Sequence, residues 1–205
     1  MKSKKTYLLD AGHGGMVNGA YVTAPKKMYT FEDGYVIYEG VFNRLVTNEV
    51  AAILGMEGID YRLVVTEQDD ISLPERVIRA NRWHDTLKNC VYISLHANAG
   101  GGHGFEIYTS IGQTDSDRLA NEMFIAYKDS FPDMTARADL QDGDYDKEAN
   151  FYVLRQTKCP AMLIESGFMD DRGDAEWMMS KEGVKEIAAA IVKGIKRIEN
   201  YTYSY

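Results

Sequence analysis

Short apolar runs alternate with helix-patterned segments along the whole chain, and this alternation most restricts what it can fold into. Segments 6–10, 61–65, 91–95, 105–109, 151–154 and 160–164 read as strands, most of them rich in Val, Ile, Leu, Tyr and Phe. Between them lie helical periods. One opens at Glu39, carries Val46, Val50, Ile53 and Leu54, and is stopped by Gly55 and Gly58. A second opens on the capping-box pattern Ser72-Leu73-Pro74-Glu75, in which Ser72 reaches the amide three residues on and Glu75 reaches back. A third, capped by Asp115 or Ser116, carries Leu119, Met123 and Tyr127. The last puts Val184, Ile187, Ala188, Ile191, Val192, Ile195 and Ile198 on one face. Such alternation predicts an α/β fold, a largely parallel or mixed sheet with helices on both faces.

With 205 residues the chain can bury the core of one domain, and no linker or repeat divides 1–205. The formal net charge of −8, without a basic stripe, argues against nucleic acid as a partner. No apolar stretch is long enough to enter and span a membrane. The basic start Met1-Lys2-Ser3-Lys4-Lys5 runs into only a short apolar segment and then Asp10, so no signal peptide is expected. Synthesis in the cytoplasm follows. Cys90 and Cys159 begin apolar runs and read as buried free thiols.

Three predicted strands end in a side chain that is costly to place there without a purpose: His13 after the first, His96 after 91–95, and Glu165 after 160–164. Glu39 opens the helix that follows a long segment, 14–38. In an open sheet, neighbouring strand ends share one edge, so these groups can converge. Two histidines and a carboxylate form a catalytic zinc set with one position left for water. A further glutamate then serves as general base. Taken singly, each has a plainer reading: a loop histidine, a helix-dipole partner at Glu39, a turn residue at Glu165. The spacing does not say which glutamate binds metal and which acts as base. His84, in a polar helical stretch, and His103, after three glycines, are weaker ligand candidates. Neither glycine cluster fits a phosphate-binding loop. Segment 14–38, with Tyr21, Tyr29, Tyr35, Tyr38, Lys26 and Lys27, reads as a loop or β-excursion on the rim of a site. Segment 132–150 is polar and irregular, either a solvated loop or a second lip of a groove.

Five segments in order resemble the zinc-dependent N-acetylmuramoyl-L-alanine amidases of the Amidase_3 type. They are Leu9-Asp-Ala-Gly-His13-Gly-Gly, Glu39-Gly-Val-Phe-Asn43, Ser72-Leu-Pro-Glu-Arg76 with Ala80-Asn81, Ser94-Leu-His96-Ala-Asn-Ala, and Tyr152-Val-Leu-Arg155 followed by Pro160-Ala161 and Glu165-Ser-Gly-Phe168. The resemblance covers nearly the whole chain. It implies that His13, Glu39 and His96 hold Zn²⁺ and that Glu165 is the base, which resolves the choice between the two glutamates. It also implies a three-layer α/β/α fold with a six-stranded sheet. The implied substrate is peptidoglycan, cut between N-acetylmuramic acid and L-alanine with zinc-bound water as nucleophile, as in host autolysins or phage endolysins acting on the wall after release or export. Ala11, where the family often has Pro, Ser166, where it often has Thr, and the long tyrosine-rich segment depart from the family pattern. Another zinc amidohydrolase or carboxypeptidase, or a non-catalytic wall-binding relative, are the alternatives. Product analysis on muropeptides separates them.

Overall fold

A computed structural model describes residues 3–201. In chain order the elements are β1 (Thr6–Ala11), β2 (Met16–Val17), β3 (Ala20–Tyr21), β4 (Met28–Thr30), β5 (Val36–Tyr38), α1 (Glu39–Glu57), β6 (Tyr61–Leu63), α2 (Leu73–Leu87), β7 (Cys90–Asn98), β8 (Glu106–Thr109), α3 (Asp115–Ser130), β9 (Lys147–Glu148), α4 (Tyr152–Gln156), β10 (Ala161–Phe168), α5 (Arg172–Met179) and α6 (Lys181–Asn200). Six strands form one sheet in the order β6-β1-β7-β10-β8-β9. β6, β1, β7 and β10 run parallel, β8 is antiparallel to β10, and β9 is parallel to β8. The sheet is therefore mixed.

Alternation along the strands sorts their side chains into two cores. Tyr7, Leu9, Val91, Ile93, Leu95, Met162 and Ile164 pack with α1, α3, α5 and α6. Leu8, Cys90, Tyr92, Ala161 and Leu163 pack with α2 and α4. The expected three layers are thus present, but they are unequal. All seven apolar residues foreseen on the last helix are buried, the valines and isoleucines each contributing roughly 1.5–3 kcal/mol as they leave water. The other face is covered by α2 and by α4, which has only five residues. The strands outrun this thinner layer at their carboxyl ends.

Several local expectations are corrected. Segment 151–154 forms no strand; Tyr152–Gln156 is the short helix α4, with Val153 and Leu154 buried against the second core. A short apolar run cannot be told from a buried helical turn by its pattern. Helix α3 is capped by Thr114 rather than Asp115 or Ser116: its side chain accepts from the Ser116 amide at 3.1 Å, and Asp117 accepts the Thr114 amide at 2.5 Å. Ser72 caps α2 as expected, but Glu75 turns to Arg79 at 3.0 Å instead of reaching back. Helix α1 runs through Gly55 and stops at Gly58, whose φ of 69° is the left-handed state that favours glycine. Segment 14–38 folds as two small hairpins, β2–β3 and β4–β5. Both cysteines are free and buried. Among the described residues no helix is long and apolar enough to cross a membrane; Met1 and Lys2 of the basic start lie outside the described residues.

Candidate active site at the carboxyl edge of the sheet

The period of two puts Leu8 and Asp10 on one face of β1, Tyr92, Ser94 and His96 on the same face of β7, and Leu163 and Glu165 on the same face of β10. Each strand carries apolar side chains beneath α2 and α4 and turns polar as it emerges. His96 and Glu165 are direct partners in the parallel register. Helix α1 belongs to the opposite layer, but its first residue, Glu39, reaches the same edge.

His13, Glu39 and His96 converge there, offering one donor atom each with all three within 4.8 Å of one another. His96 Nδ1 lies 2.9 Å from Glu39 Oε1. His13 Nε2 approaches the same oxygen to 3.2 Å but without hydrogen-bond alignment, so it is left without a partner. Glu39 Oε2 is also buried and unpartnered. Two orphaned buried atoms in a His–Glu–His set are what a cation would satisfy, and nitrogen and oxygen donors suit zinc. His103 and His84 belong to no such group among the described residues.

The tautomer of His96 follows from its neighbours. Asp10 accepts hydrogen bonds from Arg76 Nη1 at 2.6 Å, from Tyr92 OH at 2.6 Å and from Ser94 Oγ at 3.0 Å. Because the Ser94 hydroxyl spends its proton on Asp10, its oxygen accepts from His96 Nε2, 3.1 Å away. In the neutral ring that places the proton on Nε2 and turns the Nδ1 lone pair toward the Glu39 side of the site, where it can bind a metal.

His13 is held differently. Its backbone is left-handed, φ 62°, an unusual state for a residue with a side chain. Four hydrogen bonds pin the carbonyls around it. Arg76 donates to Ala11 O at 2.6 Å and to His13 O at 3.0 Å, Arg44 donates to His13 O at 2.9 Å, and Asn43 donates to Gly12 O at 3.0 Å. Gly12 has no alternative: a Cβ there would lie 2.2 Å from the His96 ring. Gly40, after Glu39, is equally constrained, since its Cβ would meet Gly14 O at 1.8 Å. Arg44, Arg76, Asp10 and Ser94 escaped the sequence reading as site residues. The signal was present as charged or polar residues inside otherwise apolar strand and helix faces.

Glu165 stands in the wall of a cleft of about 310 Å³ lined also by His13, His96, Lys27, Leu73, Phe151 and Tyr152. Its Oε2 is buried and unpartnered. Burial pushes its carboxyl up to about 7, with the charge of Glu39 adding and that of His96 opposing. Burial would likewise raise Glu39, but the His13 and His96 imidazoles packed against it override that and hold the carboxyl well below its usual range. Burial lowers His13. For His96 burial is outweighed by Glu39, and the ring is raised. The two glutamates thus sit in opposite states: one is an anion between two imidazoles, the other is near neutrality and can exchange a proton.

The match to the family model for N-acetylmuramoyl-L-alanine amidases, Amidase_3, extends over residues 8–197. The chain belongs to the Amidase_3 family. Among curated relatives, the N-acetylmuramoyl-L-alanine amidase CwlM of Bacillus licheniformis is 31% identical over 94% of this chain and 68% of its own. An endolysin of Bacillus phage SPP1 is 27% identical over 96% of this chain and 66% of its own. Among solved structures, the N-acetylmuramoyl-L-alanine amidase AmiC2 of Nostoc punctiforme superposes with a TM-score of 0.73 at 25% identity, covering 98% of this chain and all of that one. The enzyme is accordingly an N-acetylmuramoyl-L-alanine amidase on the α/β fold of its family, with bacterial amidases and a phage endolysin among its relatives.

Proposed function

We propose that His13, Glu39 and His96 hold a zinc ion and that Glu165 is the general base for cleavage of the amide between N-acetylmuramic acid and L-alanine of the stem peptide. We read the six-stranded sheet with its two helical layers as one catalytic domain acting on peptidoglycan outside the cytoplasm. One observation carries the assignment of roles. Glu165 Oε2 is free of hydrogen bonds in the wall of the cleft that His13 and His96 also line, and its carboxyl titrates near neutrality. A base matched to neutral pH transfers protons in both directions with least penalty.

When bound, zinc supplies a Lewis acid that polarises the amide carbonyl and acidifies water. Glu165 takes the proton of the attacking water at Oε2 and returns it to the departing alanine nitrogen. Asp10 and Ser94 keep the His96 proton on Nε2, so the Nδ1 lone pair stays available to a metal. The clamp of Arg76 and Arg44 keeps His13 in its strained backbone state.

The test uses purified cell wall with and without a chelator. The expected result is release of new L-alanine amino termini, abolished by chelation and restored by Zn²⁺. New reducing ends in their place would refute the bond assignment. Full activity in Glu165→Gln that had retained its metal would refute the base.

A further inference from the structure

The reading above leaves one charged constellation beside the base without a task. Glu106 on β8 is the direct antiparallel partner of Glu165 on β10. Residues so paired share a face with Cβ atoms roughly 5 Å apart. Glu106 is 2% exposed. Its carboxylate accepts from Asn98 Nδ2 at 2.9 Å, from Tyr108 OH at 2.5 Å, from Lys147 Nζ at 2.8 Å and from Arg137 Nε. Both cations come from the polar segment 132–150, which the sequence left open between solvated loop and second lip.

One carboxylate needs one cation; this one has two, on a chain whose net charge is −8. The surplus positive charge is also held in place. Arg137 is tied to Glu106 only through Nε, and its guanidinium lies 5.1 Å over the ring of Phe168, at the carboxyl end of β10. Its backbone is fixed as well, the Arg137 amide donating to Phe105 O at 3.1 Å. Its side chain is 36% exposed, and neither Nη is hydrogen-bonded among the described residues. An arginine pinned by Nε and by ring stacking, with its terminal fork open, presents the geometry that takes a carboxylate with two parallel hydrogen bonds.

We propose that Arg137, supported by Lys147 and held by Glu106, binds a carboxylate of an acidic stem peptide, that of the residue following L-alanine. This rests on the amidase reading and on Glu165 as base. The reach is consistent. An extended peptide advances about 3.3–3.6 Å per residue, so that carboxylate falls within two residue lengths of the scissile amide. Glu106, to which Arg137 is tied, stands one strand beyond Glu165, and Arg137 stacks on Phe168 at the carboxyl end of the strand that carries Glu165. Asn98, two residues after the metal-site histidine, bonds Glu106 at 2.9 Å, so the receptor is built onto the strand that carries His96.

The test compares two soluble muramyl peptides, one with a free carboxylate on the residue after L-alanine and one with that group amidated. Release of the L-alanine amino terminus is followed on the zinc-loaded enzyme. Wild type is expected to favour the free acid about tenfold in KM with kcat within about twofold, the size of one charge-assisted pair. Arg137→Ala should lose that preference by slowing only the acid substrate. Arg137→Lys keeps a partner for Glu106, guarding against misfolding, and should cut the preference to about threefold because the fork is gone. Equal KM values for the two substrates in wild type would overturn the receptor while leaving the amidase reading intact. So would variants that slow both substrates alike, the signature of a purely structural role. Cleavage of neither peptide would overturn the amidase reading and the receptor with it.

Discussion

His96 and Glu165 on one side, and His13 and Glu39 on the other, reach the same cleft by opposite means. The first pair stands on adjacent central strands in direct register, and the backbone ladder alone fixes their spacing. The second pair stands where the chain leaves regular structure: His13 in a left-handed turn after β1, Glu39 at the first residue of α1. Their placement depends on buried charge. Arg76 is 2% exposed and Asp10 1% exposed, and the two are paired at 2.6 Å. Burying such a pair is costly, and breaking it costs more. A donor on a strand inherits its position from the sheet, whereas a donor on a turn has to be held by side chains recruited from elsewhere.

Four experiments break or sharpen that contrast. Substituting a strand-borne group should remove chemistry and leave the fold. Glu165→Gln is expected to lower kcat by roughly 10²–10⁴-fold while a melting curve stays at or above wild type. A collapse of the melting temperature would show that the strand side also carries the architecture. Substituting the clamp should do the reverse. Arg76→Met strands the Asp10 carboxylate and is expected to cost about 3–5 kcal/mol in denaturant unfolding. A loss below about 1 kcal/mol would mean the turn needs no clamp.

The third experiment reads pH. In chelated protein the Glu165 carboxyl sits near 7 against an ordinary 4.5. The folded state therefore binds that proton more tightly than the unfolded chain does. Its contribution is intact below about pH 4.5 and lost as pH rises through 7. The gap corresponds to about 3 kcal/mol. The stability advantage of Glu165→Gln over wild type should accordingly grow by about that amount between pH 4.5 and 7.5. A flat difference across that range would contradict a buried carboxyl with a raised pKa. The smallest effect is expected at Ser94. Ser94→Ala frees the His96 ring to carry its proton on either nitrogen, and zinc affinity, read by competition with a chelator, should fall about 10–100-fold. Unchanged affinity would leave His96 positioned by the strand alone, with no part for Asp10 and Ser94.

Much of the sheet side was legible in advance. The apolar runs of β1, β7 and β10 and the polar residues that end them declare which strands are central and where the cleft opens. The heptad-like face of α6 declared its layer. The turn side was legible only as composition. The glycines around His13 signalled a turn, but not that Gly12 must make room for the His96 ring. Arg76 and Asp10 are 66 residues apart in sequence, and no local pattern couples them. The short helix α4 is not legible, because four apolar residues satisfy strand and helical turn alike, and only packing of Val153 and Leu154 into the second core decides.

The sequence by itself determined the α/β class, the buried faces, the two buried thiols and which strands carry His13, His96 and Glu165, although the strands run past the ends expected at Leu95 and Ile164, to Asn98 and Phe168, and take His96 and Glu165 into the ladder. Those features are set by periodicity and local chemistry over a few residues. Tertiary structure decided the rest: the antiparallel β8 that sets Glu106 beside Glu165, the clamp that holds the left-handed His13, the relay that fixes the His96 proton, and the opposite charge states of Glu39 and Glu165. Each of these depends on what stands across a strand or a layer, and on how much water remains between. Separation along the chain carries no information about either.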